Sequence, residues 1–219
     1  MKKIILSVIV FGAMISSCSN NGNKVETKDA ENVEVVKTNK TTVFNKVADG
    51  SHVNWRASHL GGIQPRFGKI YYKDATFLVN DGKLTNISVE MNMSTLTVEN
   101  FPEGAEEIGK LTGHLQSADF FNIKKYPTSK FELTNIEKNT EDFNSKISGN
   151  LTILDVTKSI TFNANVTIEE NKVSIQSENF SIDRTDWGLS YNTEGTAGVP
   201  VDFLIANDIG FTINTTLTK

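Results

Sequence analysis

Seven side chains carry most of the reactive or charge-directed chemistry open to this chain: His52, His59 and His114, Arg56, Arg66 and Arg184, and Cys18, the single cysteine. The forked donors of a guanidinium suit a diphosphate or a carbonyl oxygen. The competing expectation for each arginine is a surface ion pair, for example Arg184 with Asp183 or Asp186. His52 and His59 fall on one predicted strand at an odd spacing, which puts them on opposite faces and prevents joint metal chelation. His59 then lies on the apolar face and reads as a core histidine. No Gly-x-Ser-x-Gly elbow and no His-Glu-x-x-His motif occurs. One cysteine excludes a disulfide framework and a cysteine-based metal site. Catalytic residues, a metal and a cofactor are therefore not expected, and the paired Glu106 and Glu107 read as a solvated helix face.

The elements that must position these groups are mostly strands. Val53, Trp55, Ala57 and His59 alternate with polar residues, as do Ile87, Val89, Met91 and Met93, and Phe162, Ala164, Val166 and Ile168. Ile147, Leu151 and Ile153 share a face with Gly149. Period-two alternation of this kind marks antiparallel strands with one wet and one dry face, and Asn80-Asp81-Gly82 is a hairpin signal between two of them. One interruption stands in the middle: Ala105, Ile108, Leu111, Leu115 and Ala118 recur at helical spacing before Asp119-Phe120-Phe121 ends the run. About eight such strands either pack as a sandwich or close into a barrel whose interior is filled or holds one ligand. Small Ala57, Gly149 and Ala164 among Trp55, Met91, Met93 and Phe162 leave room on the dry face. A filled core, in which the small residues merely interdigitate, is the other expectation.

At the start of the chain, Lys2 and Lys3 precede an apolar run that ends at Ser16-Ser17-Cys18. The run is too short to span a bilayer and has the layout of an export signal. Small residues directly before Cys18 resemble a bacterial lipoprotein signal, in which the thiol is acylated and becomes the new N-terminus. Residues 1–17 are thus expected to be a signal peptide. Residues 18–40, poor in large apolar groups, are expected to form an acylated flexible tether, and residues 41–219 a single domain. A net charge of −4 and a pI near 5.5 exclude a basic nucleic-acid surface.

His52-Val-Asn-Trp-Arg-Ala-Ser-His-Leu60, Arg66-Phe-Gly68, His114-Leu-Gln-Ser-Ala-Asp-Phe-Phe121 with Lys125-Tyr-Pro-Thr128, Gly149-Asn-Leu-Thr-Ile153, Val156-Thr-Lys158 and Ile182-Asp-Arg-Thr-Asp-Trp-Gly188 occur in that order. Together they resemble the YceI-like family of exported bacterial proteins, over roughly Thr42 to Leu217. Gly61–Pro65 and Gly195–Pro200 are less typical of that family. The resemblance implies an all-β, antiparallel eight-stranded lipocalin-like barrel with one short helix between strands in the middle of the domain. It also implies an apolar interior that in some members holds a polyisoprenoid, such as a quinone tail or an isoprenyl diphosphate.

On that reading Trp55, Met91, Met93, Phe120, Phe121, Phe162, Ala164 and Trp187 would line the tail, and Arg56, Arg66, His114 and Arg184 would meet the head group. The partners would be an apolar lipid and, through acyl chains on Cys18, a membrane; a homodimer is compatible with the resemblance. A bacterial cell envelope location follows, lipid-anchored, on the outer membrane facing the periplasm. Ser19 and Asn20 carry no acidic retention residue, which favours the outer membrane.

Overall fold

The computed structural model describes residues 22–139 and 142–219. The signal peptide and the acylation site expected at Cys18 lie outside the described residues. Strands run in the order β1 (Asn23–Lys24), β2 (Lys28–Asp29), β3 (Thr41–Phe44), β4 (Lys46–Val47), β5 (His52–Ala57), β6 (Arg66–Asn80), β7 (Lys83–Asn92), β8 (Thr128–Lys138), β9 (Ser145–Ile153), β10 (Val156–Ile168), β11 (Lys172–Ser177), β12 (Phe180–Asp183) and β13 (Asp208–Thr218). Helix α1 (Glu106–Gln116) falls between β7 and β8. Strands β5 to β11 pair in sequence, β13 follows β11, and β13 returns to β5. All eight seams are antiparallel. The sheet is therefore a closed eight-stranded barrel, and the sandwich alternative is excluded.

Closure demands that every strand keep an apolar face inward along its whole length, and three bulges arrange this. In β6 the inward residues Ile70 and Tyr72 are even-numbered, while Ala75 and Phe77 beyond the slip at Tyr72/Asp74 are odd. A second slip opposite Leu78/Val79 switches β7 from Leu84 to Ile87 and Val89. A third, at Leu133/Asn135, switches β8 from Phe131 and Leu133 to Ile136. One extra residue per bulge re-aims the alternation that a strict two-residue period would misdirect. The alternation of Ile87, Val89, Met91 and Met93 predicts a strand through Met93, but β7 stops at Asn92, because the Asn92 side chain accepts from Ser94 N–H and folds Met93–Thr95 into a 3-10 turn.

Helix α1 begins with Glu106 and Glu107, whose carboxylates complement the positive helix end. Its face of Ile108, Leu111 and Leu115 packs on Trp55 and Met93 at one end of the barrel. The strand-like stretch before it crosses β6 closely: Trp55 Nε1 donates to Thr97 O at 3.0 Å, and a Cβ on Gly68 would lie 2.0 Å from that same oxygen. Only glycine admits this crossing.

Arg184, 1% exposed, organises the loop between β12 and β13. Its guanidinium donates to four backbone carbonyls: Leu189 (2.6 Å), Tyr191 (3.0 Å), Ala206 (3.1 Å) and Ile205 (3.2 Å). Burial pushes its pKa down, while Asp183 and Glu194 pull it back. Among the described residues no carboxylate comes within ion-pair distance of it, so the surface pair expected with Asp183 or Asp186 is not formed.

The segment expected to be a free tether departs from that expectation from Gly22 onward. β10 pairs with β11 only from Ala164 to Ile168, which leaves its first half open on that side. β1 lies parallel to β12, and β2 pairs with β10 at Lys158 and Ser159. Val25 packs on the core between them. Glu31 exchanges two hydrogen bonds with the buried Asn150 side chain, at 2.9 and 2.7 Å. Backbone pairing, which composition does not register, holds this stretch. Lys24 bridges Asp183 (3.1 Å) and Asp208 (2.8 Å).

Three outcomes are expected. Gly68→Ala must displace Thr97 and break the Trp55 bond, lowering stability by about 1–3 kcal/mol in urea unfolding. Arg184→Met leaves four carbonyls unpaired and should cost about 3 kcal/mol or more, with amide exchange rising first in residues 188–207. The third outcome concerns pH. Burial opposes charge on Asp183, but Thr185 and Lys24 more than offset it and depress its pKa below the ordinary 3.8. Burial also opposes charge on Lys24, and Asp208 and Asp183 raise it above 10.5. The contribution of this bridge is complete between those values. It is lost as pH falls below 3.8 through the depressed Asp183 value or rises past 10.5 through the raised Lys24 value. The protection of the Asn23 and Val25 amides, which pair with β12, should therefore fall first in acid.

Candidate functional site

The barrel interior holds a cavity of about 150 Å3. Trp55, Met91, Met93, Phe120, Phe121 and Phe162 line it, six of the eight residues expected to do so. Its floor is formed by Phe77, Ile147, Phe162 and Ile175. Below that level Phe44, Val79, Leu84, Ala164, Val173 and Leu217 are packed solid. Ala164 therefore belongs to the filled end and not to the lining. Trp187 is also a correction: it is wholly buried in a 3-10 turn beside β10, with its indole N–H donated to Leu151 O at 3.0 Å. Its ring serves the wall, not the cavity.

Polar groups inside are few and satisfied. The Tyr72 hydroxyl pairs with Thr215, and burial pushes its pKa up to about 12, so it stays neutral. Arg184 touches the cavity wall, but four carbonyls occupy its donors. It holds the mouth loop instead of meeting a head group. Arg56 is the fourth correction. It follows Trp55 on β5 and takes the opposite, outward face, beside Phe67 and Gly210.

The other two expected head-group residues come together at the open end. A recess of about 220 Å3 is lined by Arg66 and His114, with His59, Tyr191, Asn192 and Phe203. It shares Trp55, Ala57, Leu115, Phe120 and Ile205 with the cavity, so the two adjoin across these side chains. The His114 ring meets Phe120 (5.1 Å) and Tyr191 (4.8 Å) edge-on, and its Nε2 lies 3.2 Å from Asp119 Oδ2. Arg66 lies over the Phe101 ring at 5.0 Å and donates to Gln64 at 3.1 Å. His59 Nδ1 lies 2.5 Å from Asp202 O. A carbonyl only accepts, so Nδ1 carries the proton and Nε2 of the neutral ring is left as an acceptor.

His59, Tyr191 and Asn192 were not expected in the site. His59 was placed by strict alternation, but β5 stops at Ala57, and Gly61 and Gly62 turn the chain at φ 76° and 77°. The Gly-Gly pair was the available signal. Tyr191 and Asn192 sit on the loop that Arg184 holds, and nothing local in the sequence folds that loop back over the barrel. Among the described residues, no three potential ligands from His, Cys, Asp and Glu cluster as a metal site.

Known proteins resemble this chain in sequence and in fold. A UPF0312 protein of Azotobacter vinelandii is 30% identical over 122 residues, covering 56% of this chain and 59% of the relative. One from Pectobacterium atrosepticum is 27% identical over 170 residues, 76% of this chain and 77% of the relative. Protein YceI of Escherichia coli is 32% identical over 118 residues, 53% and 57% respectively. The chain spans under three fifths of the length of the first curated relatives it matches.

Among solved structures, BcnA of Burkholderia cenocepacia superposes with a TM-score of 0.56 at 13% identity, over 77% of this chain and 96% of that one. A polyisoprenoid binding domain from Saccharophagus degradans does so with 0.55 at 10% identity, over 81% and 99%. At such identities the likeness is one of fold. The model of the YceI-like domain matches residues 44–217, from the end of β3 to the last turn of β13, and the chain therefore belongs to the YceI-like family.

Proposed function

We propose that this barrel holds a long apolar lipid of the isoprenoid type, of the quinone or isoprenyl phosphate class, for transport, storage or sequestration, and that it acts without catalysis. The observation that carries the reading is a blind apolar cavity, closed by a packed floor, that adjoins a recess with polar side chains across Trp55, Ala57 and Leu115. A thin hydrocarbon needs depth and little polar recognition along its tail, with orientation set at the mouth. From Ile153 to Ile147 the strand covers about 20 Å. Burying about 400 Å2 of tail contributes about 10 kcal/mol before ordering costs. The polyisoprenoid-binding name of the Saccharophagus domain agrees with this reading. Arg66 and His114 would meet the head group, and acyl chains on Cys18 would hold the protein at the outer membrane, facing the periplasm.

A second reading, a filled barrel serving as structure or as a partner-binding lipoprotein, is favoured by one observation. The cavity of about 150 Å3 is smaller than ligand pockets of about 300 Å3 or more.

Organic extraction of the purified protein followed by mass spectrometry separates the two. The carrier should release an isoprenoid lipid and gain about 5–10 °C in Tm with quinone or isoprenyl phosphate at about a hundred times Kd. Ala57→Trp, placed where recess and cavity join, should abolish that gain while circular dichroism remains unchanged. No extracted lipid and no Tm gain would leave the filled barrel as the function.

A further inference from the structure

The rim of the open end exposes apolar side chains that the cavity does not use. Ile63 is 47% exposed, Val201 66% and Phe203 61%. They come from two turns, Leu60–Gly62 and Val201–Phe203, that are tied together. Leu60 N–H donates to Leu204 O at 2.8 Å, and His59 Nδ1–H donates to Asp202 O. Phe203 also lines the recess, so the exposed patch borders the recess that adjoins the cavity.

A second, independent observation fixes where a lipid anchor on Cys18 could pull. Among the described residues the first strand pairing is at Asn23, whose N–H donates to Asn179 O, so Gly22 is level with Asn179 on the barrel wall. Four residues from Cys18 to Gly22 reach at most about 14 Å. The open end of that wall, at Asp183, lies four residues from Asn179, or about 13 Å. The closed end, at Lys172, lies seven residues away, or about 23 Å. The anchor therefore reaches the plane of the mouth and not that of the floor. Around the barrel, β12, β13 and β5 are neighbours; two steps of about 4.8 Å separate the anchored wall from the strand that leads into the rim.

We infer that Ile63, Val201 and Phe203 form a bilayer-contact face that seats the mouth of the barrel on the lipid surface. The inference rests on the acylation of Cys18 proposed above. An apolar ligand then passes between membrane and cavity without crossing water. The rim segments carry charges of both signs, Arg66 against Asp202 and Glu194 in number, so insertion of apolar groups drives contact and anionic lipid is not required.

The test uses the full acylated chain in phosphatidylcholine vesicles free of isoprenoid lipid, so cavity occupancy does not enter. With Cys18 acylated, Phe203→Cys offers a single thiol for an environment-sensitive fluorophore, and Val43→Cys, at the closed end and 42% exposed in the native chain, is the control. Lipid carrying a nitroxide near the head group should remove most of the emission at position 203 and little at 43. That quenching should persist when salt rises from about 0.1 M to about 1 M, which shortens the screening length from about 10 Å to about 3 Å. An unquenched label at 203 on an acylated chain, or equal quenching at both positions, overturns the contact face alone. A purified chain whose intact mass shows no acyl group overturns the anchored reading and the contact face together.

Discussion

In a closed antiparallel ring every strand has two neighbours, so no edge exists where a misplaced side chain could escape. A single slip in register would turn a whole strand's apolar set outward. The barrel meets that constraint with bulges in β6, β7 and β8, each of which lets an apolar residue regain the interior after a polar one has taken its place. Cavity, floor and mouth all depend on this, because the levels occupied by Phe77, Ile147 and Phe162 form a floor only if three different strands bring their residues to the same height. Ile147 and Phe162 are directly paired across β9 and β10. Phe77 reaches that level through the slip in β6.

The open end is organised by a different force. A guanidinium taken out of water is costly unless its donors are met, and Arg184 is met by four carbonyls drawn from both limbs of one loop. Hydrogen bonds from a charged donor are each worth about 1.5–3 kcal/mol, so the charge selects the loop conformation that satisfies it. That conformation carries Tyr191 to within 4.8 Å of the His114 ring and 5.3 Å of the Phe120 ring. The aromatic cluster that joins helix α1 to the loop is thus a consequence of a cation that bonds backbone carbonyls in place of a carboxylate.

Features with a short repeat were legible in the sequence: the strands, the single helix and four cavity residues, Trp55, Met91, Met93 and Phe162, on period-two faces, whereas Phe120 and Phe121 stand where the helical repeat breaks. Residues whose position depends on distant chain were not. Ala164 lies on the correct face but at a level the alternation cannot report, below the floor. Arg184 and Asp183 are sequence neighbours, yet the arginine's partners lie up to 22 residues away. Arg56 was grouped with the mouth by residue type, although its parity against Trp55 already directed it outward. The stretch after Gly22 reads as tether because it lacks aromatic residues. Its hold on β10 and β12 comes from main-chain donors and acceptors, which every residue but proline possesses.

The two ends of the cavity differ in stiffness. Toward the floor the lining is Ile147, Ile160 and Ile175 on three adjacent strands, branched side chains with few rotamers; Ile147 and Ile175 stand in strands paired on both sides at their level. Toward the mouth it is Met91, Met93, Leu115 and Phe120. Met93 stands in a 3-10 turn, Leu115 in the helix and Phe120 in the segment after it. Methionine is the most adaptable apolar side chain, and a helix packed over a barrel end can shift without breaking a ladder bond. A void of about 150 Å3 with such walls therefore widens most cheaply at its upper end, on the side of the recess.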